Sequence, residues 1–146
     1  RLDWPARWKA VVFVPGEESP TNEARRLVPT RVPRADVVHN LSRVAEWIIA
    51  VSKGDRTLLA GAMEDRMHQP ARARAYPYLY EMIAAARRAG AVGAALSGAG
   101  GGVIAIADGR FGAVGEAMSR AAEDHRVAGK IMQLPGWKPG NSSAGR

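Results

Sequence analysis

A chain of 146 residues, 47% hydrophobic and 24% charged, is long enough for one domain with its own core and too apolar to be disordered. The absence of cysteine excludes disulfides, thiolate nucleophiles and Cys-ligated zinc, and it fits a reducing, cytoplasmic setting. A net charge of +7 raises the question of nucleic acid. The arginines, however, are dispersed from Arg25 to Arg88, and Trp4, Trp8, Trp47 and Trp137 are too scattered to form a base-stacking platform. An anionic small substrate is the better expectation. No apolar run approaches the ~20 residues of a membrane-spanning helix.

The opening Arg1-Leu2-Asp3-Trp4-Pro5 has neither a signal-peptide pattern nor an initiator Met, so the expectation is a segment of something longer. Trp8 to Val14 is a short apolar run ended by Pro15-Gly16, which predicts a buried strand and a turn. Ser19-Pro20 offers a capping hydroxyl followed by Pro at the first helical position, for a brief helix over Thr21 to Leu27. From Asp36 the period becomes helical. Val37, Leu41, Val44, Ala45, Ile48 and Ile49 form one stripe, expected to face the core, and Gly54 terminates the helix.

A further helix is expected over Arg56 to Met67, stopping before Pro70. Another is expected over Pro77 to Ala89, with Leu79, Met82, Ile83 and Ala86 inward and Gly90 as its end. Ala91 to Leu96 and Val103 to Ala107 are too short for helices and read as strands joined by a glycine-rich loop. Asp108 is placed to cap a helix running to His125, with Phe111, Val114, Met118 and Ala121 on one face, and Val127 to Leu134 completes the strands. The tail from Pro135 is expected to fray. The order predicts an α+β fold, a ferredoxin-like split βαβ with a mostly antiparallel four-stranded sheet and extra helices inserted after the first strand. Helices are expected on one face of that sheet.

Three segments are candidates for chemistry. Leu96-Ser97-Gly98-Ala99-Gly100-Gly101-Gly102 lets backbone N–H groups converge on an anion. It fits neither the dinucleotide fingerprint, which needs a third Gly where Val103 stands, nor the phosphate loop ending in Gly-Lys-Ser/Thr. Composition alone leaves a plain hairpin connection open. Thr21 and Arg25 are four apart, so a helix presents a hydroxyl and a guanidinium together, suited to a carboxylate or phosphate. A capping Thr and a solvated Arg remain the alternative. Glu64-Asp65-Arg66-Met67-His68-Gln69-Pro70-Ala71-Arg72 is dense in polar groups where a helix gives way to a loop. Glu64 and His68, one helical turn apart, do not make a metal site by themselves, and none is expected.

Together these segments resemble the GHMP kinases. Leu96-Ser97-Gly98-Ala99-Gly100 is similar to that superfamily's third motif, L-S-G-[SA]-G-P-[ST]. Glu64 to Pro70 resembles E-D-R-[LM]-H-Q-P, which within the superfamily points to the homoserine kinases. Ser19 to Arg25 resembles the S-T-x-x-A-R stretch after the first strand of their C-terminal domain, and Asn40-Leu41-Ser42-Arg43 resembles the N-L-S-R of its long helix. The match runs in order from about Lys9 to Leu134.

The resemblance implies an ATP-dependent enzyme that phosphorylates the side-chain hydroxyl of L-homoserine in threonine biosynthesis. It implies Arg25 and Arg72, with Thr21 alongside, as the clamp on the substrate carboxylate. It implies Ser97, Gly98 and Gly100 as a loop near the phosphates, and ATP with Mg2+ as cofactors. Residues 1–8 would be a remnant of the inter-domain connection, 9–134 the C-terminal domain and 135–146 a flexible tail. The family's nucleotide loop, P-x-x-x-G-L-G-S-S-A, is absent from this sequence. No catalytic residue is therefore expected in this chain, which should be inactive without an N-terminal half. Apolar surface left where that half docks would let the chain pair with itself, so a homodimer is among the expected assemblies. Gly101 and Gly102 stand where the motif has Pro and Ser/Thr, and a floppier loop is expected. Another GHMP kinase, acting on mevalonate or a sugar, and a non-catalytic ferredoxin-like module binding an amino acid or protein are the competing readings.

Overall fold

The structure, a computed structural model, describes residues 2–16 and 21–135, in 21–23 the backbone alone. The Ser19-Pro20 helix start and the tail beyond Pro135 therefore lie outside the described residues. Four strands, β1 (Lys9–Pro15), β2 (Ala91–Leu96), β3 (Val103–Ala107) and β4 (Gly129–Leu134), form one sheet in the order β2-β3-β1-β4. All three pairings are antiparallel, with Val11 opposite both Ala105 and Gln133. This is the split βαβ arrangement expected, with its two central strands supplied by the first and third apolar runs. A register shift between Ala91 and Gly93 bends the edge strand β2.

Six helices accompany the sheet among the described residues: α1 (Thr21–Arg26), α2 (Arg34–Lys53), α3 (Arg56–Ala62), α4 (Gln69–Arg72), α5 (Leu79–Arg88) and α6 (Phe111–Asp124). Strand alternation sends Val11, Phe13, Val103 and Ala105 to one face, where they pack under Leu79, Met82 and Ala86 of α5 and Val114 and Met118 of α6. The inward faces expected for α5 and α6 are those observed.

The opposite face is covered as well, which corrects the one-sided expectation. Trp8, Val92 and Ile106 meet Ala50 and Val51 of α2 and Leu59 of α3 in a second cluster. Trp4 fastens it at the chain's start, edge-on to Trp8 at 6.0 Å and donating its indole N–H to the Trp8 carbonyl at 2.8 Å.

Three other expectations are corrected. The α2 stripe does not face this core: Leu41 is 66% and Val44 60% exposed, and Ile48 and Ile49 are exposed too. The helix meets the sheet through its C-terminal turn instead, so its apolar face points outward. The helix from Arg56 ends at Ala62 rather than Met67, because the Asp65 carboxylate captures backbone N–H groups that would continue it. Asp108 does not cap α6. Its side chain pairs with Arg7 at 3.0 Å and Arg56 at 3.3 Å, and Arg110 in the left-handed region (φ 53°) precedes the helix. Gly54 (φ 64°) and Gly90 (φ 113°) end α2 and α5 as expected.

Candidate functional site

The site is assembled where the α3–α5 segment passes the glycine-rich loop between β2 and β3. Asp65 sets its first turn. Its Oδ1 accepts from the Met67 and His68 backbone N–H groups, both at 2.6 Å, and its Oδ2 lies 2.9 Å from His68 Nδ1. Burial alone would raise the Asp65 carboxyl. The bonds from His68 and Met67, with help from Asn40, outweigh it and hold the group below the usual carboxylate range. Asn40 of α2 ties the same turn by accepting from the Arg66 N–H at 3.0 Å. Glu64 and His68 are thus on a loop and not one helical turn apart.

This turn launches α4, with Pro70 in its first turn, and three side chains then reach the glycine loop. Gln69, buried at 5% exposure, accepts from the Leu96 N–H at 2.9 Å. Arg72 Nη1 donates to the Gly98 carbonyl at 2.8 Å, and the Tyr78 hydroxyl donates to the Gly101 carbonyl at 2.7 Å. The Ser97 N–H closes the loop onto the Gly102 carbonyl at 2.8 Å. In a trans peptide the N–H points opposite to the C=O. Anchoring the Gly98 and Gly101 carbonyls on the α4–α5 side therefore turns the Ala99 and Gly102 N–H groups away from it. Among the described residues, no N–H of residues 98–102 donates to a backbone acceptor outside the helices and strands. Gly98 takes φ 70°, with open space where a Cβ would be. Such a run of unspent donors suits phosphate oxygens.

Beside the loop lies a cavity of about 330 Å3 lined by Asp65, His68, Gln69, Arg72, Leu96 and Gly98. A groove of about 450 Å3 continues it toward α2, bounded by Asn40, Arg43, Val44 and Trp47. One carboxylate and one guanidinium thus share a small hollow next to the donor-rich loop. The Arg72 Nε is buried with no partner among the described residues. It is held in place by the Nη1 bond to the loop.

Of the residues singled out from sequence, the structure brings Arg72, Ser97 and Gly98 together, with Gly100 on the same loop. Arg25 is exposed at the end of α1, and no described contact joins it to the cavity. Thr21 begins α1, and its side chain is outside the described ones. Sequence reasoning missed Asn40, Gln69 and Tyr78 as supports. Asn40 and Gln69 stood inside the quoted segments. Tyr78 had no signal beyond the unusual glycine at 101, which is buried and so less free than expected.

A sequence profile described as GHMP kinases C terminal matches residues 47–124. A homoserine kinase of Persephonella marina is 40% identical over 133 residues, covering 91% of this chain and 44% of that protein. One of Moorella thermoacetica is 42% identical over 134 residues, covering 92% and 45%. The chain therefore spans less than half the length of these curated relatives. The crystal structure of homoserine kinase from Cytophaga hutchinsonii superposes with a TM-score of 0.86 at 24% identity, over 92% of this chain and 43% of that one, a likeness of fold.

Proposed function

Since this chain belongs to the GHMP kinase C-terminal family, we propose that it is the substrate-side half of a homoserine kinase. The reaction is transfer of the ATP γ-phosphoryl to the side-chain hydroxyl of L-homoserine: the hydroxyl gives up its proton to solvent as its oxygen bonds to phosphorus, the bond to the β-phosphate bridge breaks, and ADP leaves with that electron pair. The observation that carries the reading is the Arg72–Gly98 bond. It joins the residue proposed to grip the substrate carboxylate to the loop proposed to face the phosphates, inside one cavity. Phosphoryl transfer depends on positioning and charge stabilisation, and a guanidinium fixed to the loop sets the distance between the two ends of the substrate.

The remaining assignments follow the same reading. Arg72 orients the carboxylate, and Arg25 and Thr21 of α1 are proposed to close over it. Ser97, Gly98 and Gly100 belong to the loop whose free N–H groups fit phosphate oxygens. Among the described residues no cluster of three or more His, Cys, Asp or Glu fits a metal ion. On the kinase reading Mg2+, which would shield the phosphate charge when bound, is assigned to the phosphates and to residues of a nucleotide-binding half. Residues 9–134 are assigned to the C-terminal domain and residues 1–8 to the connection that leads into it, whose Trp4 and Trp8 pack onto the domain. A cytoplasmic setting fits a biosynthetic kinase, and no helix among the described residues is long and apolar enough to cross a membrane.

The test is ADP release with L-homoserine and Mg-ATP, from this chain alone and from the chain extended through its upstream reading frame. Turnover confined to the extended form supports the proposal. Turnover by the 146 residues alone, or silence in both from folded protein, contradicts it.

A further inference from the structure

Gly101 and Gly102 replace the motif's Pro and Ser/Thr, and two glycines in place of a rigid ring should loosen a loop that must hold its donors still. The structure contains a substitute restraint. Tyr78, at the start of α5, is 4% exposed and lies edge-on to Phe13 of β1 at 6.1 Å. Tyr76 tilts against it at 6.1 Å, and the His125 ring, held by Glu81 at 2.7 Å, closes a further side at 6.4 Å. The phenol is thus fixed by three neighbouring rings, and its one polar group is spent on the Gly101 carbonyl at 2.7 Å. The fit is reciprocal. A Cβ at position 101 would overlap the Tyr78 hydroxyl and come within 2.9 and 3.0 Å of the Tyr76 ring. A residue with a side chain at 101 and a tyrosine at 78 exclude one another in this packing.

We propose that Tyr78 is a positioning residue for the glycine loop, supplying through the Gly101 carbonyl the restraint that the motif's proline supplies elsewhere. Glycine at 101 is what makes room for it. This rests on the kinase reading for its catalytic consequence, though not for the bracket itself. With the Gly101 carbonyl pinned, the Gly102 N–H keeps its outward orientation, and the loop meets a phosphate already shaped, avoiding the ordering cost at each turnover. Burial, and after it the neighbouring Tyr76, pushes the Tyr78 phenol up to about 12. The donated proton therefore stays in place throughout the neutral range.

The experiment uses the full-length protein and Tyr78→Phe, which keeps the ring and deletes the hydroxyl. Amide hydrogen exchange at Ser97, whose N–H closes the loop onto the Gly102 carbonyl, should accelerate about tenfold while the amides of α5 keep their rates. In the same variant kcat/KM for ATP should fall about tenfold, with KM for L-homoserine within about twofold of the parent. A second comparison guards against a general packing defect. Gly101→Ala should harm ATP use strongly beside Tyr78 and much less beside Tyr78→Ala. Unchanged exchange in folded Tyr78→Phe, or additive effects in the double variant, would overturn the bracket. Faster exchange with ATP kinetics intact would overturn the positioning role. If the parent turns over no homoserine, the kinase reading fails separately, and the exchange arm still decides whether Tyr78 holds the loop.

Discussion

Replacing Arg72 by Ala in the full-length protein removes two bonds at once, the observed tether to the Gly98 carbonyl and the proposed grip on the substrate carboxylate. Each is a charge-assisted bond of about 1.5–3 kcal/mol. At a factor of ten per ~1.4 kcal/mol, kcat/KM for L-homoserine should fall by about 10²–10⁴. The two parts separate with 3-aminopropan-1-ol, which keeps the hydroxyl and amine and lacks the carboxylate. On that substrate only the tether is left to lose, and the same variant should cost about 10–10². Arg72→Lys keeps a charge but not the planar fork, so it should fall between parent and Arg72→Ala. Steady-state kinetics with both substrates, by coupled ADP detection, reads all of this. An equal loss on both substrates would refute the carboxylate role. A loss below about threefold on both would refute the tether as well.

Other consequences concern the frame around that residue. Gln69→Leu leaves the Leu96 N–H buried without its acceptor, so a urea titration should show a loss of about 1–3 kcal/mol. Asp65 titrates below its ordinary 3.8 in the folded chain; its stabilisation is therefore complete above about pH 4 and disappears as pH falls through the folded value. Acid unfolding followed by circular dichroism should be shallower for Asp65→Asn, which has no such proton to take up. On α2, Leu41→Gln should change stability by less than about 0.5 kcal/mol because Leu41 is 66% exposed. Leu59→Ala, at 0% exposure on α3, should cost about 2–5 kcal/mol in the same titration.

The strands were legible because short apolar runs bounded by Pro15, Gly90 and the glycine-rich 97–102 loop leave little room for another reading. The buried faces of α5 and α6 were legible because Leu79, Met82, Ile83 and Ala86, and likewise Val114 and Met118, repeat at helical spacing. The same logic failed on α2. A stripe such as Leu41, Val44 and Ile48 states that one face avoids water and is silent about what covers it. Here the sheet takes Ala50 and Val51 from that helix's end, with Trp47 packed beside them. Periodicity could not see the Asp65 turn either, since side-chain capture of the Met67 and His68 N–H groups competes with the helix at equal spacing. Asp108 is the converse case: a good capping residue drawn off by Arg7 and Arg56, 101 and 52 positions away in sequence. For the site, motif resemblance picked out Arg72 and the loop, while the Tyr78–Gly101 bond spans 23 residues and has no local pattern.

The central claim is that this domain presents L-homoserine, and not another alcohol, to ATP. It is tested most directly by giving the full-length protein L-homoserine, mevalonate and galactose in parallel with Mg-ATP and identifying the phosphorylated product by 31P NMR. The account predicts a phosphate monoester on the homoserine side-chain oxygen, with the other two alcohols untouched under the same conditions. Phosphorylation of mevalonate or the sugar in preference to homoserine would contradict it.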